Sequence, residues 1–352
     1  MKAERRLRTA DFEYPLPADL IAQEPLEDRT GSRLLVVRRA GGPVGPRAAL
    51  EDGAFTDLLE LIPPGDLLVI NTTRVQPARL IGRRASGATA EVLLVHPADD
   101  GSWIAMGRPG SALQPGKPVQ LGAGVSVETL EVLPDGYRRV RIEGATAAEA
   151  MQRFGRVPLP PYIERDPSPK DATRYQTVYA KRAGSAAAPT AGLHFTNPLL
   201  DALSARGVVI AGLDLEVGPG TFKPVETEDP GEHPMHPERY EIPDRLAALL
   251  REIRRLGGRV WAVGTTVVRA LESASDHHGV VKAGAGETRL LITPGYEFRV
   301  VDRLITNFHL PRSTLLMLVS AFAGHDTVRA AYEHAIARRY RFYSYGDAMV
   351  II

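Results

Sequence analysis

The chain has 352 residues, 44% hydrophobic and 24% charged, a globular composition long enough to build two cores. Its 43 basic and 42 acidic residues nearly cancel, so net charge alone gives no argument for a nucleic-acid partner. There is no Cys, which excludes disulfides, thiolate metal sites, iron–sulfur clusters and a Cys nucleophile.

In chain order, the first ten residues carry charge but lead into no apolar segment, so no signal peptide is expected. Residues 11–27 read as extended and Pro-rich, and 34–38 as a short apolar strand. Phe55, Leu58, Leu59 and Ile62 recur at helical spacing and predict an amphipathic helix over 52–62, stopped by Pro63-Pro64-Gly65-Asp66. The apolar run 67–71 reads as a strand buried on both faces. From about Val75 to Gly155 the texture changes. Short β-type runs at 90–95, 102–106, 118–121, 126–133 and 137–142 alternate with Gly, Pro and Asp turns, and no helical period intervenes before 147–154. That spacing predicts a small β-barrel or sandwich inserted in the chain.

Residues 158–162 form a stiff Pro-rich connector, and the small-residue run 183–188 reads as a mobile loop. Helices are predicted at 198–206, 243–256, 267–275, 313–323 and 327–340. Strands are predicted at 208–217, 259–263, 289–292, 300–306, 341–345 and 348–352. The alternation predicts a layered α/β domain, discontinuous over 1–74 and 156–352, with 75–155 as an inserted β-barrel domain. The longest apolar run, 315–323, is far short of a membrane span, so a cytoplasmic protein is expected.

Chemistry-bearing residues crowd into turns. Glu216-Val217-Gly218-Pro219-Gly220 looks like a nucleotide fingerprint, but Thr221-Phe222-Lys223-Pro224-Val225 follows instead of a helix, so no Rossmann loop is predicted. A glycine-lined turn at a strand end, either structural or touching a ligand, fits better. Gly264-Thr265-Thr266 lies between a strand and a helix. Thr265 or Thr266 reads as an N-cap, and N–H groups exposed there suit an anion, with Arg269 one turn on. Asn307-Phe308-His309 and His194-Phe195 place an imidazole in turns where function concentrates. His233 and His236 before Glu238 suggest a metal, but Pro234 and Pro237 deny them a helix, so no metal site is expected. For acid–base work the chain offers Asp214, Glu216, His194, His236 and His309, and spacing alone does not choose among them.

The blocks YQTVYA, APTAGLHF, VGPGTF, MHPERY, AVGTT, TNFHLP, STLLMLVSAFAG and SYGDAM, with DFEYPLP, LLVINTTRV and PLPPYI before them, run from Asp11 to Ile352. Together they resemble the S-adenosylmethionine:tRNA ribosyltransferase-isomerase family of queuosine biosynthesis. The resemblance implies an α/β domain with an inserted β-barrel. It also implies transfer and rearrangement of the ribosyl part of S-adenosylmethionine onto 7-aminomethyl-7-deazaguanine in a tRNA with a GUN anticodon. Epoxyqueuosine-tRNA is formed, and adenine and methionine leave. The sulfonium compound is then a co-substrate, and no cofactor or metal is expected; a monomer is expected. This chain departs from the family pattern at Glu216, where His is usual, at Thr72, where Asp is usual, and at 110–112, where a Lys is often found.

These readings place a pocket at the strand ends. His194, His309 and Glu216 are the catalytic candidates. Thr190, Gly192, Phe195, Gly218, Gly220, Thr221, Phe222, Thr265, Thr266, Arg269 and Asn307 are the candidates for holding S-adenosylmethionine, whose carboxylate suits the 264–266 turn and whose cationic sulfur and flat adenine suit an aromatic face. Arg33, Arg74, Arg79, Tyr175 and Gln176 are the candidates for tRNA contact. A conventional methyltransferase and a non-catalytic RNA-binding protein are the rival readings.

Overall fold

The computed structural model describes residues 7–39, 48–134, 136–222 and 224–352, without the Phe222 side chain. In chain order the elements begin with β1 (Arg33–Arg38), β2 (Ala49–Ala54), α1 (Leu58–Leu61), β3 (Leu67–Asn71) and β4 (Thr73–Val75). Next come β5 (Arg79–Arg83), β6 (Thr89–Pro97), β7 (Trp103–Arg108), β8 (Val119–Gly122), β9 (Val125–Val132), β10 (Arg138–Glu143), α2 (Ala147–Phe154) and β11 (Gly155–Arg156). They are followed by α3 (Asp171–Arg174), β12 (Arg182–Ser185), α4 (Asn197–Ala205), β13 (Val209–Leu215), β14 (Glu238–Ile242) and α5 (Asp244–Arg255). The chain ends with β15 (Val260–Val263), α6 (Thr265–Ala274), β16 (Gly284–Thr288), β17 (Arg303–Asn307), α7 (Thr314–Ala323), α8 (His325–Ala337) and β18 (Ala348–Ile351).

Nine strands form one sheet in the order β16-β14-β13-β3-β15-β17-β18-β1-β2. Its centre, β13-β3-β15-β17, is parallel. A parallel centre needs both faces covered, and β3 shows how the sequence provides for it. Successive side chains leave a strand on opposite faces. Leu67 and Val69 enter a core with α5, α6, α7 and α8, while Leu68 and Ile70 enter a second core with Phe55, Leu58, Leu199 and Leu203. β1 divides in the same way, Leu35 and Val37 against Leu34 and Val36. Because the four central strands run in one direction, their C-terminal ends at Leu215, Asn71, Val263 and Asn307 fall along one edge. Open α/β sheets bind ligands at that edge.

A second sheet has the order β11-β5-β6-β7-β10-β9-β8, and β8 also meets β5 at Arg83 and Gln120. It holds its own core, with Leu80, Val92, Leu94, Val119, Val127, Val140 and Met151. Alternate residues of β6 and β9 are buried, which is why this segment reads as half-buried strands. The helix over 147–154 starts with Thr146 and Glu149 capping each other. No helix among the described residues is long and apolar enough to cross a membrane.

Four expectations are corrected. The segment 52–62 begins as β2 and turns helical only at Phe55, because residues 49–54 pair with β1. The strand near 289–292 lies instead at 284–288, paired with β14. Residues 341–345 form turns, since Asp347 accepts the backbone N–H of both Arg341 and Arg33 and draws the chain back. The run 183–188 is no mobile loop. β12 pairs with β4, and Ser185 through Ala188 are buried. Ser185 Oγ reaches Thr73 Oγ1 at 2.8 Å and the Val217 N–H at 3.0 Å, a close approach of backbones that only small residues permit.

Candidate active site

Three turns at the strand ends converge: 216–222 after β13, Gly264 after β15 and 308–313 after β17. They border two adjoining open cavities that share Thr221 and Leu315. Thr190, Thr265, Thr266, Thr306, Asn307 and His309 line the first. Gly218, Gly220, Glu238, Arg269 and His236 line the second, with Ile104 and Tyr137 of the second sheet. A Cβ on Gly220 would lie 2.6 Å from His236 Cδ2, so that turn requires glycine.

The imidazoles are deeply placed. His194 Nδ1 lies 2.8 Å from Ser32 Oγ, and its Nε2 accepts from Asn307 Nδ2 at 3.0 Å. His309 Nε2 lies 2.7 Å from Thr306 Oγ1. Burial, with Arg29 and Arg341 nearby, pushes the His194 pKa down to about 3, and burial alone does the same to His309. Both rings are therefore neutral at pH 7. An unfolded chain would protonate them near pH 6.5, so the unfolded state binds more protons between about pH 6.5 and 3. Stability contributed by these groups is complete above pH 6.5 and is lost as pH falls from there toward the folded-state value. Urea midpoints are expected to hold from pH 7.5 to about 6.5 and to drop from there to pH 5; equal midpoints at pH 6.5 and 5 would remove the two rings from this role.

Gly264, at φ 92°, is the N-cap of α6, and neither Thr265 nor Thr266 caps the helix by a side chain. The N-cap expectation for these threonines is thus corrected: both are helical residues of the first turn. Among the described residues Thr266 Oγ1 is buried with no partner, as is Asn307 Oδ1. Arg269 pairs with Glu238 through Nη1 and donates from Nε to the Leu290 carbonyl at 3.0 Å. Its Nη2 is a buried donor without a partner among the described residues. Glu238 Oε1 in turn accepts from Thr221 Oγ1 at 3.1 Å, tying the 219–222 turn to the ion pair. These three unsatisfied atoms on one cleft are open to a ligand or to ordered water.

The model of the queuosine biosynthesis protein family matches residues 9–351. The chain belongs to that family. It is 51% identical over 350 residues to the S-adenosylmethionine:tRNA ribosyltransferase-isomerase of Symbiobacterium thermophilum, covering 98% of this chain and 100% of the relative. The enzyme of that name from Cupriavidus pinatubonensis is 51% identical over 346 residues, covering 98% and 99%. A solved structure of S-adenosylmethionine tRNA ribosyltransferase from Thermotoga maritima is 37% identical with a TM-score of 0.55, covering 97% of this chain and 100% of that one.

Within this queuosine-family chain the structure separates the candidates. Thr190, Gly218, Gly220, Thr221, Thr265, Thr266, Arg269, Asn307 and His309 line the cleft. His194 stands behind Asn307 and does not line it. Glu216 faces a separate recess with Asp214, Arg182 and Arg239, where burial raises its carboxyl against the pull of Arg239. Phe195 is fully buried against Phe55, so it offers no face to a ligand. Gly192 packs against Thr177 and Tyr179. The Phe222 side chain lies outside the described residues. Of the tRNA candidates, Arg74 is exposed on β4. Arg33 is tied to Asp347 and stacks on Tyr340, and Arg79 pairs with Glu91. Tyr175 is buried, and Gln176 clamps the Val75 backbone at 3.1 and 3.2 Å. Sequence reasoning missed Thr306, Leu315, Ile104 and Tyr137. The last two meet the cleft only through the packing of the second sheet against it, so no local signal marks them.

Proposed function

We propose that this chain transfers and isomerises the ribosyl moiety of S-adenosylmethionine onto 7-aminomethyl-7-deazaguanine in a GUN anticodon, giving epoxyqueuosine-tRNA and releasing adenine and methionine. The observation that carries the reading is full-length similarity, at 51% identity, to enzymes named for S-adenosylmethionine, tRNA and ribosyl transfer. The cleft supports it with an unpaired guanidinium nitrogen, unpaired acceptors and a neutral imidazole on one sheet edge.

In this reading Arg269 Nη2 holds the methionine carboxylate, because it is the cleft's buried cationic donor left without a partner. That replaces the 264–266 turn in the role. His309 removes the proton beside the sulfonium. Its Nε2 is anchored on Thr306, and no second ring partner occurs among the described residues, so Nδ1 is available. Burial holds the imidazole in its neutral form in the free protein, so its Nδ1 lone pair is not already protonated. The carbanion so formed opens the sugar ring by β-elimination, and the freed ring oxygen becomes a carbonyl as adenine leaves; the substrate amine then bonds to the opened sugar chain, and a sugar oxygen closes the epoxide by displacing methionine. The tRNA base enters past Tyr137 and His236, where the second sheet meets the cleft. S-adenosylmethionine is a co-substrate, and the enzyme works as a cytoplasmic monomer without metal or cofactor. Residues 75–155 form an inserted small β-barrel domain on the α/β domain of 1–74 and 156–352, a reading supported by the return of β8 to β5.

Incubation with S-adenosylmethionine is expected to release free adenine only when tRNA bearing the aminomethyl base is present. Methyl label transferred to tRNA, with no adenine released, would establish a methyltransferase instead.

A further inference from the structure

Asn307 is 2% exposed, and its surroundings fix its amide. Nδ2 faces His194 Nε2 at 3.0 Å and the carbonyl oxygens of Tyr343 at 3.2 Å and Asp347 at 3.5 Å. The carbonyls can only accept. His194 accepts through Nε2 when its Nδ1–H is donated to Ser32 Oγ at 2.8 Å. The amide therefore has one orientation, and Oδ1 is left buried as an acceptor without a donor among the described residues. Thr266 Oγ1, in a residue 7% exposed, is equally unpartnered in the neighbouring turn. Both residues line the first cavity.

That cavity has a second property. Among the described residues its lining contains no Asp, Glu, Lys or Arg. An ammonium or carboxylate would be buried there without a counter-charge, which is costly. A neutral heterocycle would not. The second cavity holds Arg269 and Glu238 and suits the charged amino-acid tail.

We infer that Asn307 and Thr266 read the adenine of S-adenosylmethionine: Asn307 Oδ1 accepts from the exocyclic N6–H, and the Thr266 hydroxyl donates to the adjacent ring nitrogen. The inference rests on S-adenosylmethionine occupying this cleft. Ser32 and His194 are then positioning residues, which explains a buried histidine with both nitrogens engaged. A 6-oxo purine would set an acceptor against Oδ1 and be rejected.

The test uses 5′-methylthioadenosine and 5′-methylthioinosine, which lack the charged tail, titrated calorimetrically into the full-length protein. Wild type is expected to bind the adenine compound at least ~10-fold more tightly, the scale of discrimination by a well-made base-edge contact. Thr266→Val removes a hydroxyl that the fold does not use, so its melting temperature should hold. Its affinity for the adenine compound should fall by roughly 3–10-fold, as expected for one hydrogen bond. Asn307→Ser should reduce the preference to within about twofold through loss of the same acceptor. Equal wild-type affinity for both nucleosides would overturn the inference, as would Thr266→Val binding like wild type; neither result needs the Asn307 variant to fold. Wild type that binds S-adenosylmethionine without adenine preference overturns this inference alone. Wild type that does not bind S-adenosylmethionine overturns the functional reading as well.

Discussion

Arg269→Met is expected to destabilise the protein by about 3–5 kcal/mol, the cost of leaving one partner of a buried ion pair uncompensated. Arg269 and Glu238 have side chains only 6% and 5% exposed, and among the described residues Glu238 would keep just the Thr221 hydroxyl as a polar partner. Combining Arg269→Met with Glu238→Met removes both charges and should restore most of that stability, because apolar replacements of buried pairs are often neutral or better. The double variant should nevertheless stay impaired. If Nη2 holds the substrate carboxylate, kcat/KM falls by about 10–150-fold from the lost charge-assisted bond alone. Urea unfolding and adenine release, measured on both variants, separate the two roles. A double variant that recovers stability and turnover together would make Arg269 a purely structural residue.

The second large effect is expected at His309. His309→Gln should lower kcat by about 10²–10⁴-fold, the usual contribution of a general base. KM for S-adenosylmethionine should change little, since Thr266, Asn307 and Arg269 remain. The pH profile adds an independent check. Burial pushes the ring to about 3 in the free protein, so kcat/KM should show no acid limb from His309 between pH 5 and 8. Full turnover by the variant would take His309 off the catalytic residues, and a limb near the ordinary histidine value would contradict the buried, neutral ring.

Much of this was legible in the sequence where the signal is local. The run Leu67 to Asn71 reads as a doubly buried strand, and its residues do divide between two cores. The helix over 147–154 stands where its apolar spacing places it. The turns carrying Thr190, Gly218, Thr265 and Asn307 were marked by hydroxyls and glycines beside apolar strands. Non-local facts were not legible. Val217 lines the cleft and Glu216, one residue earlier, faces the recess behind it, because neighbours in extended chain point to opposite sides. A tempting carboxylate is thereby removed from the cleft by register alone. His194 and His309 look alike in sequence, and only the position of Ser32, 162 residues from His194, makes the first a prop for Asn307. The run 183–188 resembles a flexible linker because its close partners, the Thr73 hydroxyl and the Val217 backbone N–H, are far away in the chain.

The central claim is ribosyl transfer at this cleft, and the most direct test is mass analysis of nucleosides from the tRNA product. Wild-type protein, S-adenosylmethionine and tRNA bearing 7-aminomethyl-7-deazaguanine should yield a nucleoside heavier by the rearranged sugar unit, and Arg269→Met/Glu238→Met should yield little of it. An unchanged base, or a gain of only a methyl group, would contradict the account.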